Sequence, residues 1–500
     1  MGTGGGRLSR RGFGLGAASL LAFGTAARAA PALDVVIEGG RVIDPETKVD
    51  RPANVGVRGG RIAAVSPGPL SGARRIDAKG LVVAPGFIDL HSHAVSDFDM
   101  RLKARDGVTT ALELEAGTYP IRVLSQLGPG RINYGASVGH RAVRVFIATG
   151  LEQASIRPDL DLQTRILRSE SEWAYPRFEG ERLKRMQVLI REGVAAGGLG
   201  IGLMPEYIPG AGRDEVLAVF RTAAELRAPI FVHVRRSITA RDDGPMAAMQ
   251  EMIADAAATG APLHICHIGS KSLGAIEPIL EMIHGARDRG LDITTEVYPY
   301  TAGSTLIGSA LFDEGWQERQ GAGYGDLEWP LTGERLTKDT FDRYRREQPA
   351  GWAILHNIPK TTVDRAIADP LVMIASDGVP FVNGRAHPRG AGTFGRVLGH
   401  YVRERKLLSL AEAVRKMTLA PAQRLEKIAP AMKRKGRVHV GCDADLVVFD
   451  PATVIDNATF SEPARPTTGI PYVLVAGVPV VDGSQIAEAA TPGRWVRSEA

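Results

Sequence analysis

Two histidines, two residues apart, follow an apolar run in segment 87–93, where His91 and His93 flank a serine. Residues i and i+2 of a β-strand point to the same face, so we expect both imidazoles to lie together at the C-terminal end of a strand. Neutral imidazole is a common ligand of zinc and other transition metals. The spacing therefore predicts part of a metal site, although a single His-x-His pair also occurs among surface and core histidines.

Three more polar residues stand at the ends of apolar runs further along the chain. They are His233, His267 and Asp377. Taken singly, a histidine or an aspartate at such a place is more often a buried polar residue or a helix cap. Imidazole nitrogens and carboxylate oxygens are both zinc ligands. The recurrence of such residues after His91 and His93 therefore predicts one shared metal centre.

A segment with two acids offers a further ligand. In 111–115, glutamates alternate with leucines, so Glu113 and Glu115 lie on one face of a strand and the leucines on the other. We predict that Glu115, which is nearer the end of the strand, is a metal ligand. Glu113 then lies one layer deeper, either as a hydrogen-bond partner of a ligand or as a buried acid paired with a base. The pattern leaves open the reverse assignment and a structural role for both acids.

These residues must be positioned by strands that all end at one edge of a sheet. Between 86 and 430, short apolar runs alternate with helical patterns, which is typical of parallel strands joined by helices. Eight strand candidates end near His91, Glu115, Gly139, Leu203, Val234, His267, Val297 and Asp377. Eight strand–helix units predict an α/β fold, the TIM (β/α)8 barrel, in which active sites lie at the C-terminal ends of the strands.

The remaining segments are organised around this barrel, which we place at 86–430. Short Val- and Ile-rich runs with Gly-Gly turns predict β-strands in 33–85, and the same texture returns in 431–485. We therefore expect a small β-sandwich domain built from both ends of the chain. The charged, aromatic-rich segment 313–350 is longer than a simple connection and is predicted to be an insertion, either a lid or a structural addition.

The first 29 residues have the features of an export signal. Arg10 and Arg11 precede Phe13, a short Ala/Leu/Gly-rich run follows, and the stretch closes with an Ala-x-Ala site at 27–29. This order is that of a signal peptide, and the arginine pair is typical of the twin-arginine type. We predict a periplasmic or secreted protein. No membrane anchor is expected in its mature form, because no later apolar segment is long enough to span a bilayer.

Composition and charge narrow the expected partners. The chain is 44% hydrophobic and has 58 glycines, which suits tight strand–helix turns and argues against disorder. Removing the four arginines of the leader lowers the net charge from +5 to +1, so no nucleic-acid partner is indicated. Cys266 and Cys442 fall in different predicted elements, so no disulfide is expected. The expected partner is a small-molecule substrate, and the sequence leaves open whether the chain forms a homo-oligomer.

Eight segments of the chain form a recognisable set of motifs: 84–93, 107–110, 138–140, 198–207, 298–305, 376–378, 387–389 and 441–450. They resemble the amidohydrolase superfamily, and within it the N-acyl-D-amino-acid deacylase (D-aminoacylase-like) branch. The first and last segments are general to amidohydrolases. The tyrosine-rich segment 298–305 and the His-Pro-Arg segment 387–389 are more specific to the branch, and the likeness covers nearly the whole mature chain.

The resemblance implies one or two zinc ions held by the four histidines and Asp377, with Asp377 accepting the proton of an attacking water. It also implies substrate contacts from Tyr207, Tyr298, Ser304 and Arg389. Two features depart from the branch. Its cysteine ligand after strand two is replaced here by Glu115-Ala116-Gly117, so a carboxylate stands in for a thiolate. Its lysine close after the strand-six histidine is displaced here to Lys271.

Two other histidines have less specific assignments. His140 follows a predicted strand end and either donates to a substrate oxygen or ties a loop. His264 lies three residues before His267. Alternation along a strand would place the two on opposite faces, so we expect His264 to be a packing residue.

We therefore expect a metal-dependent hydrolase that cleaves the amide bond of N-acyl amino acids. The preference for D-substrates is implied by the resemblance alone. The first alternative is a cyclic amidase of the hydantoinase or dihydroorotase kind. Related barrels often carry a carboxylated lysine on strand four, and 198–203 contains none. The second alternative is a non-catalytic periplasmic binding protein on the same scaffold, and the intact set of histidines with Asp377 argues against it.

Overall fold

The computed structural model describes residues 1–4, 32–153, 159–235 and 244–499. Nearly all of the predicted export signal, 1–29, lies outside the described residues. The chain divides into two compact units, Met1–Ala32 and Leu33–Ala500. The first contains no described helix or strand, and the second holds every element named below. No helix within the described ranges combines the length and apolar character needed to cross a bilayer.

The strands, in chain order, are β1 (Leu33–Asp44), β2 (Val49–Arg58), β3 (Arg61–Ser66), β4 (Gly72–Asp77), β5 (Val82–Pro85), β6 (Phe87–Asp89), β7 (Val108–Thr118), β8 (Asn133–Gly139), β9 (Ile201–Leu203), β10 (Ile230–Val232), β11 (Leu263–Ile265), β12 (Ile293–Val297), β13 (Gly303–Leu306), β14 (Leu327–Trp329), β15 (Glu334–Arg335), β16 (Trp352–Leu355), β17 (Val372–Ile374), β18 (Leu446–Phe449), β19 (Tyr472–Val475), β20 (Val478–Asp482) and β21 (Gln485–Ile486).

The α-helices are α1 (Asp97–Arg105), α2 (His140–Thr149), α3 (Leu160–Arg168), α4 (Glu170–Trp173), α5 (Gly180–Ala195), α6 (Arg213–Leu226), α7 (Gly244–Thr259), α8 (Ile268–Ser272), α9 (Ile276–Asp288), α10 (Trp316–Gln320), α11 (Lys338–Glu347), α12 (Lys360–Ala368), α13 (Arg389–Arg396), α14 (Leu410–Met417) and α15 (Leu419–Leu425). Short 3₁₀ turns lie between them, and a π-helix, Val397–Glu404, continues α13.

Eight parallel strands form the barrel in the order β17-β12-β11-β10-β9-β8-β7-β6. Between β17 and β6 the seam is crossed by the His93 N–H, which donates to the Gly378 carbonyl at 2.8 Å. Every predicted strand end lies within three residues of an observed one. The predicted TIM barrel is confirmed, and its core is lined by buried apolar residues of these short strands, such as Ile201, Phe231 and Ile374.

Nine strands from the two ends of the chain form a second sheet, in the order β21-β20-β19-β18-β5-β1-β2-β3, with β4 paired to β1. The two ends meet where β18 pairs antiparallel with β5, with Leu446 opposite Pro85. Buried residues such as Ile37, Val55 and Leu446 form a core of their own on this sheet. A β-sheet unit made from both termini is therefore present, as the sequence predicts.

A third sheet, in the order β13-β16-β14-β15, is inserted between barrel strands β12 and β17. Together with α10 and α11 it packs around Trp316, Trp329 and Phe341 in a separate apolar cluster. The predicted insertion 313–350 falls inside this region, which extends from β13 to β16. Leu306 of β13 and Trp352 of β16 line a cavity at the C-terminal mouth of the barrel. The insertion therefore forms part of the wall of that cavity.

A buried ion pair fastens the seam of the barrel beneath the candidate site. Lys103 Nζ lies 2.5 Å from Asp89 Oδ2, and the Ser376 backbone N–H donates to Asp89 Oδ1 at 2.9 Å. Lys103 also donates to Ser376 Oγ. Lys103 and Asp89 are almost completely inaccessible to solvent. This network links the residue two before His91 with the residue just before Asp377, so it fixes two predicted ligands relative to each other.

Replacing Lys103 with methionine should lower the free energy of unfolding by about 3–5 kcal/mol, because the buried Asp89 carboxylate would lose its counter-charge. Urea unfolding followed by circular dichroism measures the change. Lys338→Met is the matched control, since Lys338 is exposed and pairs with Asp342 one helical turn away. That variant should be nearly as stable as the parent. Equal stability of the two variants would contradict the structural role of Lys103.

Candidate functional site

The six residues predicted as metal ligands converge at the C-terminal mouth of the barrel. Donor atoms of three sets each lie within 4.8 Å of one another: His91 with His93 and Glu115, His91 with His267 and Asp377, and Glu115 with His233 and His267. They come from strands β6, β7, β10, β11 and β17 or the residues just after them. Residues spread over almost three hundred positions are thus brought to one point.

Glu115 lies at the centre of the cluster with its two oxygens facing different histidines. Its Oε1 is 2.9 Å from His233 Nδ1 and 2.6 Å from His267 Nε2. Its Oε2 is 3.3 Å from His91 Nε2 and 3.5 Å from His93 Nε2. A single carboxylate therefore joins two pairs of imidazoles, which is the arrangement that a bridge between two metal positions requires.

Each of the four histidines is held at one ring nitrogen and presents the other to the cluster. His91 Nδ1 lies 2.5 Å from Glu296 Oε1, and His93 Nδ1 lies 2.7 Å from Glu113 Oε2. His267 Nδ1 is 3.1 Å from Ser270 Oγ. His233 is reversed, because its Nε2 is 2.6 Å from Glu206 Oε2 and its Nδ1 faces Glu115. Such outer partners fix the ring orientation and tautomer of metal-binding histidines.

Charges in the cluster act strongly on one another because the site is buried. Burial opposes protonation of His91, but the Asp377 and Glu115 carboxylates outweigh it and raise the pKa of His91 well above its ordinary value. Burial likewise opposes ionisation of Glu115, yet the surrounding histidines hold the pKa of Glu115 well below its usual range. Burial lowers the pKa of His267 to about 4, so this imidazole is neutral near pH 7.

Asp377 is fixed between the cluster and a buried arginine. Its Oδ1 lies 3.4 Å from Nε2 of both His91 and His93, and its Oδ2 lies 3.0 Å from Arg389 Nη1. Burial would raise the pKa of Asp377, but Arg389 and His91 lower it below the ordinary range. The carboxylate is therefore ionised and can accept a proton.

Two of the clustered residues have left-handed backbone conformations. The φ angle is +32° at His267 and +50° at Asp377, directly beyond the ends of β11 and β17. Such conformations are uncommon for residues other than glycine, asparagine and aspartate, and they concentrate at functional sites. The chain thus turns sharply at the mouth of the barrel and directs both side chains into the cluster.

The donor set matches what zinc requires. Imidazole nitrogens and carboxylate oxygens are its ordinary ligands together with thiolates. Two buried carboxylates, Glu115 and Asp377, lie among four histidines whose other nitrogens are already engaged. A divalent cation at the centre would balance the negative charge that these acids bring into a buried place. The residues present therefore fit a metal ion, and the two faces of Glu115 fit two.

A cavity of about 440 Å³ opens above the cluster. His93, Glu115, His233, His267 and Asp377 form its floor. Much of its remaining wall is apolar and includes Leu160, Leu162, Met204, Leu306, Trp352, Phe381 and Val382. Its size and its mixture of apolar wall and converging polar groups are typical of a small-molecule site.

The residues predicted to contact a substrate lie in different places. Tyr207 and Ser304 line the cavity. Tyr207 donates to or accepts from Thr305 Oγ1 at 2.9 Å, and Ser304 Oγ has no hydrogen-bond partner among the described residues. Tyr298 and Arg389 are buried behind Asp377, where the Arg389 guanidinium lies 4.6 Å from the centre of the Tyr298 ring. Burial raises the pKa of Tyr298 to about 12.

His140 does not line the cavity. It is completely buried at the start of α2, and its Nε2 lies 2.7 Å from Glu215 Oε1. Arg144 pairs with the same carboxylate. These contacts join α2 to α6 through Glu215. His140 directly follows the end of β8, but it is already the first residue of α2. Its side chain therefore packs between helices and does not reach the mouth of the barrel.

The expected orientation of His264, on the face opposite to His267, is wrong, although its ring is completely buried and packs against Phe231. Its Nε2 lies 3.1 Å from Glu296 Oε2, and the other oxygen of Glu296 contacts His91. Strand β11 ends at Ile265, so alternation does not extend to His267 and both histidines point into the barrel. Burial lowers the pKa of His264. A chain of contacts thus runs from His264 through Glu296 to the cluster.

Sequence reasoning missed Glu206, which lies in the short turn after β9 and has a side chain only 7% exposed. Besides His233, it accepts from Gln320 Nε2 at 3.0 Å and from Lys271 Nζ. Gln320 belongs to α10, so the insertion reaches the outer shell of the cluster through this carboxylate. An acid a few residues beyond the end of a predicted barrel strand was the signal available in the sequence. Lys271 is accordingly engaged with Glu206 in this structure.

Comparison with known proteins agrees with this geometry. The model of the Amidohydrolase family matches residues 74–481. D-aminoacylase from Alcaligenes xylosoxydans xylosoxydans is 33% identical, over 89% of this chain and 94% of the relative. The N-acyl-D-glutamate deacylase of Bordetella bronchiseptica, solved with zinc and a phosphonate mimic of the tetrahedral intermediate, is 29% identical with a TM-score of 0.75. It covers 93% of this chain and 100% of the solved chain.

A third relative bears on the number of metal ions. A D-aminoacylase structure, determined to study the role of its binuclear metal centre, has a TM-score of 0.75 and 29% identity. The superposition covers 93% of this chain and 100% of that one. The two donor faces of Glu115 in the present chain are compatible with a centre of the same kind.

Proposed function

Because this chain belongs to the amidohydrolase family, we propose that it is a metal-dependent hydrolase that cleaves the amide bond of N-acyl-D-amino acids. It acts on carbon–nitrogen bonds other than peptide bonds, and its similarity to a D-aminoacylase supports this reaction class. The observation that carries the proposal is the position of Glu115, whose oxygens face two pairs of histidines at the floor of a substrate-sized cavity.

The ligands divide into two groups that share Glu115. His91, His93 and Asp377 would hold one zinc ion with Oε2 of Glu115, and His233 and His267 would hold a second with Oε1. Bound zinc lowers the pKa of a coordinated water and polarises a carbonyl oxygen. Glu296, Glu113, Ser270 and Glu206 keep the four imidazoles in the required tautomers, since each occupies the ring nitrogen that faces away from the cluster.

Asp377 is the residue that moves the proton. Its carboxylate is ionised, reaches the cluster through Oδ1 and is prevented from turning away by Arg389 at Oδ2. It accepts a proton from the attacking water and returns it to the nitrogen of the leaving amine, as general acid–base catalysis of amide cleavage requires. Arg389 is thereby a positioning residue for Asp377.

Tyr207 and Ser304 are placed to bind the substrate. Both line the cavity, and the hydroxyl of Ser304 is free to donate to an oxygen of the acyl or carboxylate group. Trp352 lies with its ring centre 6.3 Å from that of His93 and forms an apolar wall beside the floor. These contacts favour a substrate with an apolar group next to the amide.

The structure weighs against a cyclic amidase. The barrel strand β9 carries no lysine that could be carboxylated to bridge two metal ions, and Glu115 of β7 occupies the bridging position. A solved D-hydantoinase and a solved dihydropyrimidinase share the fold at 19% and 16% identity, which carries no assignment of substrate. A ring-opening assay on hydantoin and dihydroorotate should accordingly show no turnover.

A panel of substrates tests the proposed activity. The zinc-loaded enzyme is incubated with the N-acetyl derivatives of D- and L-methionine, leucine, phenylalanine, glutamate and aspartate, and the free amino acid is measured by chiral chromatography. We expect release from at least one D-substrate and none from its L-counterpart. Bound zinc without hydrolysis of any amide, ester or lactam would favour the binding-protein alternative and overturn the proposal.

The site of action is a further part of the proposal. The arginine pair and the Ala-x-Ala site of the leader support export by the twin-arginine route, with the mature enzyme in the periplasm or medium. We expect replacement of Arg10 and Arg11 by lysine to leave the full-length chain in the cytoplasm. Cell fractionation with an antibody against the enzyme measures this. Unchanged export of the double variant would exclude the twin-arginine route.

A further inference from the structure

Arg141 is a buried cation in the wall of the cavity. It is 8% exposed and lies in the first turn of α2. Its guanidinium is stacked on the buried ring of Trp173, 4.8 Å from the ring centre. No hydrogen bond or ion pair joins it to a carboxylate of the described residues. A guanidinium stacked on an aromatic face keeps the in-plane N–H groups at its edge available for a bidentate acceptor.

This placement is unfavourable unless an anion is bound. Burial lowers the pKa of Arg141, which reports the cost of the charge in this environment. A cation in the first turn also opposes the helix dipole, whose positive end lies there, and Gly139 supplies no side-chain cap to α2. Glu170 also lines the cavity, and burial raises its pKa to about 7 despite the attraction of Arg141. Glu170 is therefore a weak counter-ion at neutral pH.

Two other basic residues near the site are already engaged. Arg389 pairs with Asp377, and Lys271 pairs with Glu206. Neither lines the cavity, and Arg141 is the only lysine or arginine of the described residues that does. Among the lining residues that the structure describes, Arg141 therefore supplies the guanidinium that a negatively charged group in the cavity would meet.

Tyr207 connects the two parts of the cavity. Its ring centre lies 4.7 Å from that of His233 at the floor, and the ring also packs against the apolar cluster that contains Trp173. The Tyr207 hydroxyl also lies close enough to Arg141 to influence the pKa of its guanidinium, so this tyrosine neighbours both Arg141 and the floor. Arg141 and the floor line one cavity, so a small N-acyl amino acid bound with its amide on the floor shares that cavity with the guanidinium.

We propose that Arg141, stacked on Trp173, is the subsite that binds a carboxylate of the substrate. The inference rests on the proposed function and adds a specificity-determining residue to it. It assigns the enzyme to substrates with a free carboxylate. That carboxylate is either the α-carboxylate of any N-acyl amino acid or the side-chain carboxylate of an acidic one.

The test compares each acid with its neutral amide. Steady-state kinetics are measured on N-acetyl-D-methionine and its α-amide, and on N-acetyl-D-glutamate and N-acetyl-D-glutamine, for the zinc-loaded parent, Arg141→Met and Arg141→Lys. Arg182→Met is the matched control, because Arg182 is a stacked but exposed arginine on Phe178 outside the cavity. Thermal melting checks that each variant is folded.

We expect Arg141→Met to raise KM for the acid roughly 10- to 100-fold, the loss of a charge-assisted hydrogen-bonded pair, with KM for the amide and kcat little changed. Arg141→Lys keeps the charge without the planar fork and should be intermediate, which also covers a failure of Arg141→Met to fold. If the ratio of KM for N-acetyl-D-methionine to KM for its α-amide changes, the α-carboxylate is the group that Arg141 binds. If only the ratio for N-acetyl-D-glutamate and N-acetyl-D-glutamine changes, that group is the side-chain carboxylate.

Acid-to-amide ratios that match those of Arg182→Met in both pairs would overturn the subsite and leave the proposed function standing. A parent enzyme that hydrolyses no N-acyl amino acid would overturn the proposed function itself, and the subsite with it.

Discussion

Asp377→Asn should lower kcat for N-acyl-D-amino-acid hydrolysis by roughly 10²- to 10⁴-fold, the usual contribution of a positioned general acid–base group. Asparagine has nearly the same shape, so the cavity and most of the cluster should persist, but an amide cannot accept the proton of the attacking water. Metal content should fall less than activity, because the histidines and Glu115 remain. Stopped assays on the zinc-loaded variant, with metal analysis of the same sample, measure both effects.

Asp456→Asn is the appropriate control for the loss of an Asp–Arg pair. Asp456 Oδ2 lies 3.1 Å from Arg396 Nη1, and the Asp456 side chain is buried. Neither residue lines the cavity. Its replacement should reduce stability without changing kcat. If metal-replete Asp377→Asn retained a kcat close to that of the parent, Asp377 would not be the proton-transfer group.

Glu115→Gln should remove at least one of the two bound zinc ions and weaken zinc binding by roughly 10²-fold or more, beyond the 10- to 100-fold typical of outer-shell changes. The physical reason is that glutamine keeps one oxygen, and its NH₂ group cannot ligate a cation. Only one of the two histidine pairs would then still face an oxygen atom of residue 115, so only one metal position would keep that donor. Titration with a chromophoric zinc chelator gives the number of ions and their affinities.

Glu113→Gln is the matched comparison, two residues earlier on the same face of β7. Glu113 contacts His93 Nδ1, and not the metal-facing nitrogen, so this variant should bind both ions with affinity reduced 10- to 100-fold. Comparison of the two variants also decides which glutamate is the metal ligand, a choice that the sequence left open. Two zinc ions bound to Glu115→Gln with parental affinity would exclude it as the bridge.

The sequence was most informative where strand geometry alone decides direction. The alternation of Glu113 and Glu115 within β7 places both side chains on one face regardless of distant contacts, and the His-x-His pair, although it lies just beyond β6, also meets at one point. Periodicity also located the eight barrel strands, since α/β units repeat with a regular apolar pattern. For these residues, the short-range rule and the final structure agree.

Where the chain leaves the regular strand, local rules no longer apply. His267 lies beyond the end of β11 with a positive φ, so counting from it gave the wrong orientation for His264. The contacts of Glu206 with His233, of Glu296 with His91 and of Arg389 with Asp377 join residues distant in sequence. Only the closed barrel brings such residues together, which is why the outer shell could not be read from one sequence.

The central claim is that the clustered histidines and carboxylates bind zinc and thereby hydrolyse an amide. The most direct measurement is the rate of N-acetyl-D-methionine hydrolysis by chelator-treated enzyme as zinc is added back in known equivalents. We expect no release of free D-methionine before zinc is added and recovery of activity within two equivalents. Full activity of the metal-free chain, or no activity on any D-substrate of the panel after both sites are filled, would contradict it.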